Sequence, residues 1–425
     1  TALLELIDGA SPGDERWPGC VQALDTHAEA IMLIREAAGK RSTGMILQPG
    51  LSDAYRAATR RTDEVSKSTG SEPVWVIDVL LPQLGEFRMM ARLLRIDALH
   101  AGEIGDSARI VADIEAMAGL GRHTREHPIV ICDLVSHAIG TLTSKTVREI
   151  VRRSPGTLDD GSLARIDLAI SSDLTGPETA MDLTGERYFI LDLIQRLYTD
   201  DGHGDGHITA AGLSAIANRQ MFGNQVEIPT RRVVVGFMSL YSMGRAELTA
   251  EVNEMYDEIE AYAATPMWER GSSGAELKIA QKYAEQNRLD LGRMLISLLM
   301  PALSKAAFTA DRARTEAETT RMLIALQRHR LANGRWPGSL DEIVPSLLEP
   351  APPDPFTGEP LRYRPNETGP VIYSVGVDRE DDGGRHSEKA STWRPADQVQ
   401  HALDQDPEGF GGDWVLEPEP IEDDE

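Results

Sequence analysis

The segment 200–209 carries oxygen donors in the order of a calcium-binding loop between two helices. With Asp201 as position 1, Asp205 falls at position 5 and Gly206 at the sharp-turn position 6. His207 then falls at position 7, which ligates through its backbone carbonyl. Because calcium prefers such hard oxygen ligands, the spacing predicts a cation site here.

Two positions of this loop depart from the calcium pattern. Position 3 is His203 rather than Asp or Asn, and position 12 is Gly212, where a bidentate glutamate is expected. The loss of that ligand predicts a weak site, or one completed by Asp200. The alternative is a Gly/Asp turn that only joins two helices. The predicted ligands are Asp201, His203, Asp205, His207 and Thr209.

A second group, His123, Glu126, His127 and His137, contains residue types that bind zinc. Two zinc ligands on a helix need i, i+4 spacing without a break. Pro128 follows this segment and two glycines precede it, so the sequence predicts a surface turn. The alternative is a metal-dependent hydrolase, which requires the three histidines to converge.

Known catalytic motifs are missing from the sequence. There is no Walker lysine loop, no Gly-x-Gly-x-x-Gly motif after a strand and no Gly-x-Ser-x-Gly elbow. We therefore predict a non-enzymatic protein. The net charge of −25 repels phosphate backbones and anionic membrane surfaces, which disfavours nucleic-acid binding.

The cysteines and the apolar runs bear on the compartment. Cys20 and Cys132 are too few for a disulfide framework, and they are predicted either to pair or to be two buried thiols. No apolar run approaches the roughly 18–20 residues that span a bilayer. Because the chain opens with Thr1 rather than Met, we expect that a signal peptide or membrane anchor was removed.

Most of the first 300 residues have the apolar spacing of helices. Helical hairpins are predicted between about 80 and 153, with Asp106 or Ser107 as an N-cap. No fixed repeat period is present, so we expect an irregular helical bundle or superhelix. Gly271–Gly274 is predicted as a linker. The other predicted helices are Val21–Ala38, Ser52–Ser66, Leu163–Ser171, Gly185–Tyr198, Ala210–Gln220, Arg245–Ala264 and Gly274–Leu299.

The last third has a different pattern. Small residues at spacings of three and four, from Ala306 onward, predict a closely packed helix that ends at Gly334. Ser339 and Glu342 form a capping box for a short helix. The acidic tail Glu417–Glu425 is predicted to be disordered. The predicted strands are Leu361–Arg364, Val371–Val375 and Trp414–Leu416.

This order of long helix, short helix, small sheet and acidic loop resembles the globular domain of type II secretion major pseudopilins. The segment Tyr373–Asp378 is similar to the Tyr-Ser-Leu-Gly-x-Asp stretch of that family. The chain departs from the family by an insertion before Asp413 and by lacking the membrane-inserted half of the N-terminal helix. The alternative is an acidic loop that is only solvated. The resemblance implies a calcium site with Asp378, Asp381 and Asp382 as ligands and Asp413 nearby.

Most of the chain also resembles a family of envelope proteins of planctomycete-type bacteria, through the loop Asp200–Gly206 and the Asp-Pro-Phe and Tyr-Ser-Val-Gly segments. That resemblance implies an extracytoplasmic, membrane-anchored protein and no known activity. The expected fold is mainly α: an irregular helical bundle or superhelix, followed by a small α+β pseudopilin-like domain with a short antiparallel sheet. The expected domains are 1–70, 71–300 and 301–416, with a tail at 417–425.

The expected function is that of a structural or interaction protein with partners in the cell envelope, stabilised by calcium. The alternatives are the metal-dependent hydrolase and a helical adaptor that binds peptides.

Overall fold

The structure, a computed structural model, describes residues 2–44, 81, 83–175, 181–209, 243–273, 291–366, 369–392 and 396–418. These residues are mainly helical with one small antiparallel sheet, which confirms the predicted fold class. The helices predicted at Ser52–Ser66 and Ala210–Gln220, the first part of Gly274–Leu299 and most of the acidic tail lie outside them. No helix within the described ranges is long and apolar enough to cross a membrane.

The helical body comprises the described helices up to residue 273. Asp106 caps α5 as predicted, because its Oδ1 accepts a hydrogen bond from the Arg109 amide at 3.0 Å. Asp159 caps α7 in the same way, from the Ser162 amide at 2.7 Å. The helices are α1 Ala2–Ile7, α2 Trp17–Thr26, α3 Ala28–Ala38, α4 Gln83–Ile104, α5 Ser107–Thr124, α6 Val130–Arg153, α7 Asp160–Asp173, α8 Thr184–Leu197, α9 Arg245–Ala264 and α10 Met267–Ser273.

Two predictions for this body were wrong. The single helix predicted over Val21–Ala38 is divided at His27, whose φ of −109° and ψ of 16° interrupt the helix between α2 and α3. The linker predicted at Gly271–Gly274 is helical through Ser273, within α10. A single glycine costs a helix only about 1 kcal/mol, so tertiary packing can override it.

The C-terminal part is one long helix followed by a three-stranded sheet of order β1-β2-β3. Helix α11 ends before Gly334, whose φ of 71° suits the predicted C′ position. The strands confirm the predicted ones to within two residues. The bounds are α11 Leu291–Asn333, β1 Arg362–Asn366, β2 Gly369–Ser374, α12 Ala396–Gln405, α13 Pro407–Phe410 and β3 Trp414–Glu417.

The predicted capping box and tail differ from the structure. Leu340–Glu342 is a single 3-10 turn, and the Ser339 side chain makes no cap hydrogen bond. Glu342 instead accepts from the Gly338 amide at 2.6 Å and from Arg335 at 2.7 Å. Glu417, which was predicted to be the first residue of the disordered tail, is instead buried as the last residue of β3.

The apolar core divides into two main clusters. The larger one, core A, joins the N-terminal helices, α4–α7, α11 and the sheet, with members such as Leu94, Leu326 and Ile372. The second, core B, lies mainly within α8 and α9, and Met255 and Tyr256 are fully buried in it. Helix α11 packs against α6 and α7 as well as against the sheet, so it belongs to both parts of the chain.

Candidate functional site

The loop 200–209 folds as a tight turn that follows α8 and contacts the start of α9. The amide of Thr199 donates to the His207 carbonyl at 2.9 Å, and Tyr198 forms a bridge with Ile208. Gly206 is required here, because a Cβ at this position would lie 1.9 Å from the Thr199 carbonyl oxygen. The close approach of these two backbone segments therefore fixes the turn.

The carboxylates of this loop accept hydrogen bonds from backbone amides. Asp201 Oδ1 accepts from the His203 and Asp205 amides at 2.7 and 3.1 Å. Asp205 Oδ1 accepts from the Ala246 amide at 3.0 Å, which caps the first turn of α9. Hydrogen bonds from Ala246 and Gly206 lower the pKa of the Asp205 carboxyl below its usual value.

The remaining predicted ligands of this loop have other contacts. Asp200 Oδ2 lies 2.9 Å from Arg245 Nη1, so this acid binds the start of α9. The Thr209 hydroxyl donates to the Leu197 carbonyl at 3.1 Å, at the end of α8. His203 and His207 are exposed. The loop therefore ties α8 to α9 through its carboxylate and hydroxyl side chains.

The acidic loop after β2 is also held by amides. Asp378 Oδ2 accepts from the Gly412 amide at 3.1 Å, and Asp413 Oδ2 accepts from the Gly384 amide at 2.6 Å. Asp413 is fully buried, and burial raises the pKa of its carboxyl and that of Asp378. Asp413 thus connects the loop to the start of β3.

The other two predicted ligands of this loop, Asp381 and Asp382, contact side chains of the same chain. Asp381 Oδ1 accepts from the Tyr373 hydroxyl at 3.0 Å, and its Oδ2 lies 3.4 Å from Arg362 Nε. Asp382 Oδ1 accepts from Arg385 at 3.0 Å. A calcium site needs several of these oxygens directed at one point.

The donor chemistry of both loops suits calcium, since carboxylate oxygens are hard ligands. Over the residues that the structure describes, no group of three or more His, Cys, Asp or Glu side chains is placed to hold a metal ion. Calcium binding by either loop therefore stays a prediction.

The histidines considered for zinc have separate surroundings. His123 lies in the last turn of α5, so the predicted surface turn was wrong for this residue, whereas Glu126 and His127 do lie in a turn. The Nδ1 of His123 is 2.8 Å from Glu126 Oε1, and the Nε2 of His123 is 3.2 Å from the Ala38 carbonyl oxygen. Burial, together with the nearby charges of Arg125 and Arg314, lowers the pKa of His137 to about 4.

Glu126 binds the end of the described N-terminal segment. Its carboxylate accepts from the Thr43 amide at 2.7 Å, from the Thr43 hydroxyl at 2.8 Å and from the Ser42 hydroxyl at 3.0 Å. Although burial opposes ionisation, these bonds and that of His123 lower the pKa of Glu126 to about 2. The Glu126 carboxylate is therefore engaged in hydrogen bonds that hold residues 42 and 43.

Buried ion pairs were not predicted from the sequence. Asp97 and Asp113 are 1% and 0% exposed, and the Arg35 guanidinium contacts both. Burial and the neighbouring Asp97 charge raise the pKa of Asp113 to about 9, so Asp113 holds a proton at pH 7. Arg109 Nε donates to Asp97 at 3.0 Å, which keeps Asp97 ionised.

Both cysteines are buried free thiols.

A second buried pair joins the helical body to the C-terminal part, and we call it the α11 junction. Arg148 of α6 is 2% exposed and pairs with Glu316 of α11, whose carbonyl oxygen accepts from its Nη1 at 3.1 Å. Its Nε lies 3.7 Å from the buried Glu417 carboxylate of β3. The guanidinium of Arg312 lies 5.4 Å from the Trp414 ring centroid, which adds a contact between α11 and β3.

Another set of contacts, the α8 junction, joins α6 to α8. The Val130 amide donates to both Glu186 oxygens at 2.9 Å, and the Asp182 amide donates to Asp133 at 3.3 Å. Gly185 allows the two backbone segments to approach each other, because a Cβ at this position would lie 2.2 Å from the Pro128 carbonyl oxygen. Burial raises the pKa of Glu186 to about 7 and that of Asp133 to about 6.

An open cleft lies where α4 and α6 end, beside the α1–α2 loop. Its volume is about 400 Å³. One acid, one base and one hydroxyl face it, beside the apolar side chains of Pro12, Leu99 and Ile150. The lining residues are Pro12, Leu99, Gly102, Glu103, Ile150, Arg153 and Ser154.

Comparison with known proteins gives no relative on which to base a function. No protein-family model, no curated protein and no solved structure matches this chain.

Proposed function

We propose that the chain is a non-enzymatic structural and interaction protein of the cell envelope, which presents a small pseudopilin-like α+β module on a helical body. The proposal is supported by the order of the C-terminal elements. A 43-residue helix, a 3-10 turn, two strands and an aspartate-rich loop follow one another, and two short helices of the insertion then precede the third strand.

The observation that carries the proposal is the α11 junction. A buried arginine paired with two glutamates, one on α11 and one on β3, favours a single relative position of sheet and helices. Core A adds apolar contacts across the same boundary. A module that must offer one surface to a partner needs such a fixed orientation, because ordering it on binding would cost affinity.

Protein partners of the secretion or pilus-assembly type are the ones that this likeness favours. The hydrolase alternative has no support within the described residues, since the three histidines do not form part of a metal-binding group there. The net charge of −25 likewise favours protein partners over nucleic acid.

Affinity capture from envelope membranes of the source organism tests the proposal. We expect the wild-type protein to recover components of a secretion or pilus-like assembly. Glu417→Gln, which weakens the α11 junction, should recover less, whereas Glu408→Gln, an exposed acid of the same module, should match the wild type. Capture of no such component by the wild type would contradict the proposal. If Glu417→Gln recovered as much of these components as the wild type, the α11 junction would have no role in binding them.

A further inference from the structure

We propose that the cleft at the ends of α4 and α6 binds a small zwitterion, namely a free α-amino acid or a dipeptide. This inference does not depend on the proposed function, because the cleft lies in the helical body. It rests on the volume of the cleft, on the two opposite charges that face it and on the ends of the two helices.

The size of the cleft suits this class of ligand. About 400 Å³ is sufficient for an amino acid or a dipeptide and lies at the lower end of the range of ligand pockets. Gly102 contributes to this space, because a Cβ there would lie 3.5 Å from the Ser154 hydroxyl and 3.9 Å from Ile150. A methyl group at residue 102 would therefore fit without a clash and would reduce the cleft.

The acidic side of the cleft is Glu103. Its Oε2 accepts from the Trp17 indole at 2.8 Å and lies 3.5 Å from His100 Nδ1, so the carboxylate is held in place. Among the described residues neither contact uses Oε1, which leaves that oxygen for a ligand. An ammonium group is the natural partner for it, since it can donate up to three hydrogen bonds.

The basic side is Arg153 with the adjacent Ser154. Arg153 donates from Nη1 to the Pro12 carbonyl at 3.0 Å, and its Nε lies 3.0 Å from Glu149 Oε1. Within the described chain these contacts leave Nη2 for a ligand carboxylate, and the Ser154 hydroxyl is a second donor. One cation and one hydroxyl suit a single carboxylate.

The helix ends favour a ligand that carries a positive charge. Helices α4 and α6 end at Ile104 and Arg153, so the negative ends of two helix dipoles meet at the cleft. They favour the ammonium group and oppose a ligand that carries only negative charge. Leu99, Ile150 and Pro12 supply apolar contacts for the carbon atoms between the two charges.

Titration of the whole chain by calorimetry at pH 7 tests this site, with alanine and alanyl-alanine as the probes. N-acetylalanine lacks the ammonium group and alaninamide lacks the carboxylate. We expect each blocked compound to bind at least about tenfold more weakly, the effect of losing roughly 1.4 kcal/mol of charged contact. Equal binding of blocked and unblocked compounds, or no binding of either probe, would overturn the proposal.

Variants locate the site on the molecule. Glu103→Gln keeps an acceptor for Trp17 but loses the charge, and Arg153→Gln loses the carboxylate partner; each should weaken binding about tenfold. Gly102→Ala should weaken binding while the helix keeps or gains stability. The matched control is Arg165→Gln, which breaks an exposed Arg–Glu pair elsewhere. Circular dichroism checks that each variant is folded, and a loss in the control equal to that in Arg153→Gln would contradict the assignment.

Discussion

The α11 junction and the α8 junction attach two parts of the molecule to α6 in different ways. At the α11 junction, a charged pair is buried inside a boundary that also shares core A. At the α8 junction, backbone amides meet two carboxylates, and most of the apolar contacts of α8 lie in the separate core B. We therefore expect the C-terminal sheet to open together with α6. Helix α8 packs mainly in core B with α9, which also contacts α11, and we expect it to open separately through a pH-dependent attachment.

The largest expected effect is at the α11 junction. Arg148→Met removes the buried partner of Glu316 and one of the partners of Glu417, which keeps Arg152 at 3.5 Å; this change should lower the free energy of unfolding by about 3–5 kcal/mol. Urea denaturation measures it. Arg165→Gln is the control, since its exposed ion pair should be worth about 1 kcal/mol or less. Similar losses in both variants would contradict the account of this junction.

Steric crowding should have the next largest effect, at the α8 junction. Gly185→Ala places a methyl group against the Pro128 carbonyl, and the backbone must shift to admit it. We expect a loss of about 1–3 kcal/mol, with earlier hydrogen exchange in α8 than in α6. Gly85→Ala is the control, because nothing lies within 4 Å of its Cβ. An unchanged stability for Gly185→Ala would show that this contact does not hold the junction.

The α8 junction should also respond to pH. The pKa of Glu186 is about 7 in the folded protein, above its ordinary value of 4.5, so folding favours the protonated acid. Its contribution to stability is complete below about pH 4.5 and is lost as the pH rises through 7. The stability difference between the wild type and Glu186→Gln should therefore change by about 1–2 kcal/mol between pH 5 and pH 8. Burial raises the pKa of Asp133 to about 6, so its contribution to the pH dependence should be measured in the same way with Asp133→Asn.

Constant stability of the wild type relative to Glu186→Gln over this pH range would contradict the assignment of the buried acid. Glu115→Gln removes an exposed acid and serves as the control, for which no such change is expected.

The smallest expected effect is that of calcium, which also distinguishes the two parts, because each carries one acidic loop. Calcium at a concentration near its Kd should stabilise the protein by about 0.4 kcal/mol, and more when in excess. Asp205→Asn keeps an oxygen acceptor for the Ala246 amide while it removes a charge, and Asp382→Asn tests the other loop. Thermal melting with calcium and with EGTA compares the two variants with the wild type. An unchanged melting midpoint of the wild type would refute calcium binding.

Sequence patterns predicted most of the local structure. The three strands, the end of α11 at Gly334 and the cap at Asp106 follow from local signals, namely aromatic and β-branched residues, a C′ glycine and an N-cap acid. The break at His27 was missed, since no glycine or proline marks it. The 3-10 turn was overestimated as a helix, because Glu342 binds Gly338 rather than completing the capping box.

The junctions could not be predicted, because their residues come from distant segments of the chain. Arg148 lies 168 residues from Glu316. A partial signal was present in Asp97, a charged residue among apolar neighbours on a helix, which indicates a buried partner without naming it. Asp354 gave a similar signal: it is buried and accepts from the Phe356 and Val375 amides at 2.8 Å, which ties its turn to the end of β2.

Native-state hydrogen exchange in low urea reports the opening free energy of each segment in one protein, so it shows whether the molecule opens in two units. We expect amides of β2, such as Ile372 and Tyr373, to open together with those of α6, and amides of α8 to open at lower free energy. If β2 instead opened well before α6, or α8 proved as protected as α6, the division into two units would be contradicted.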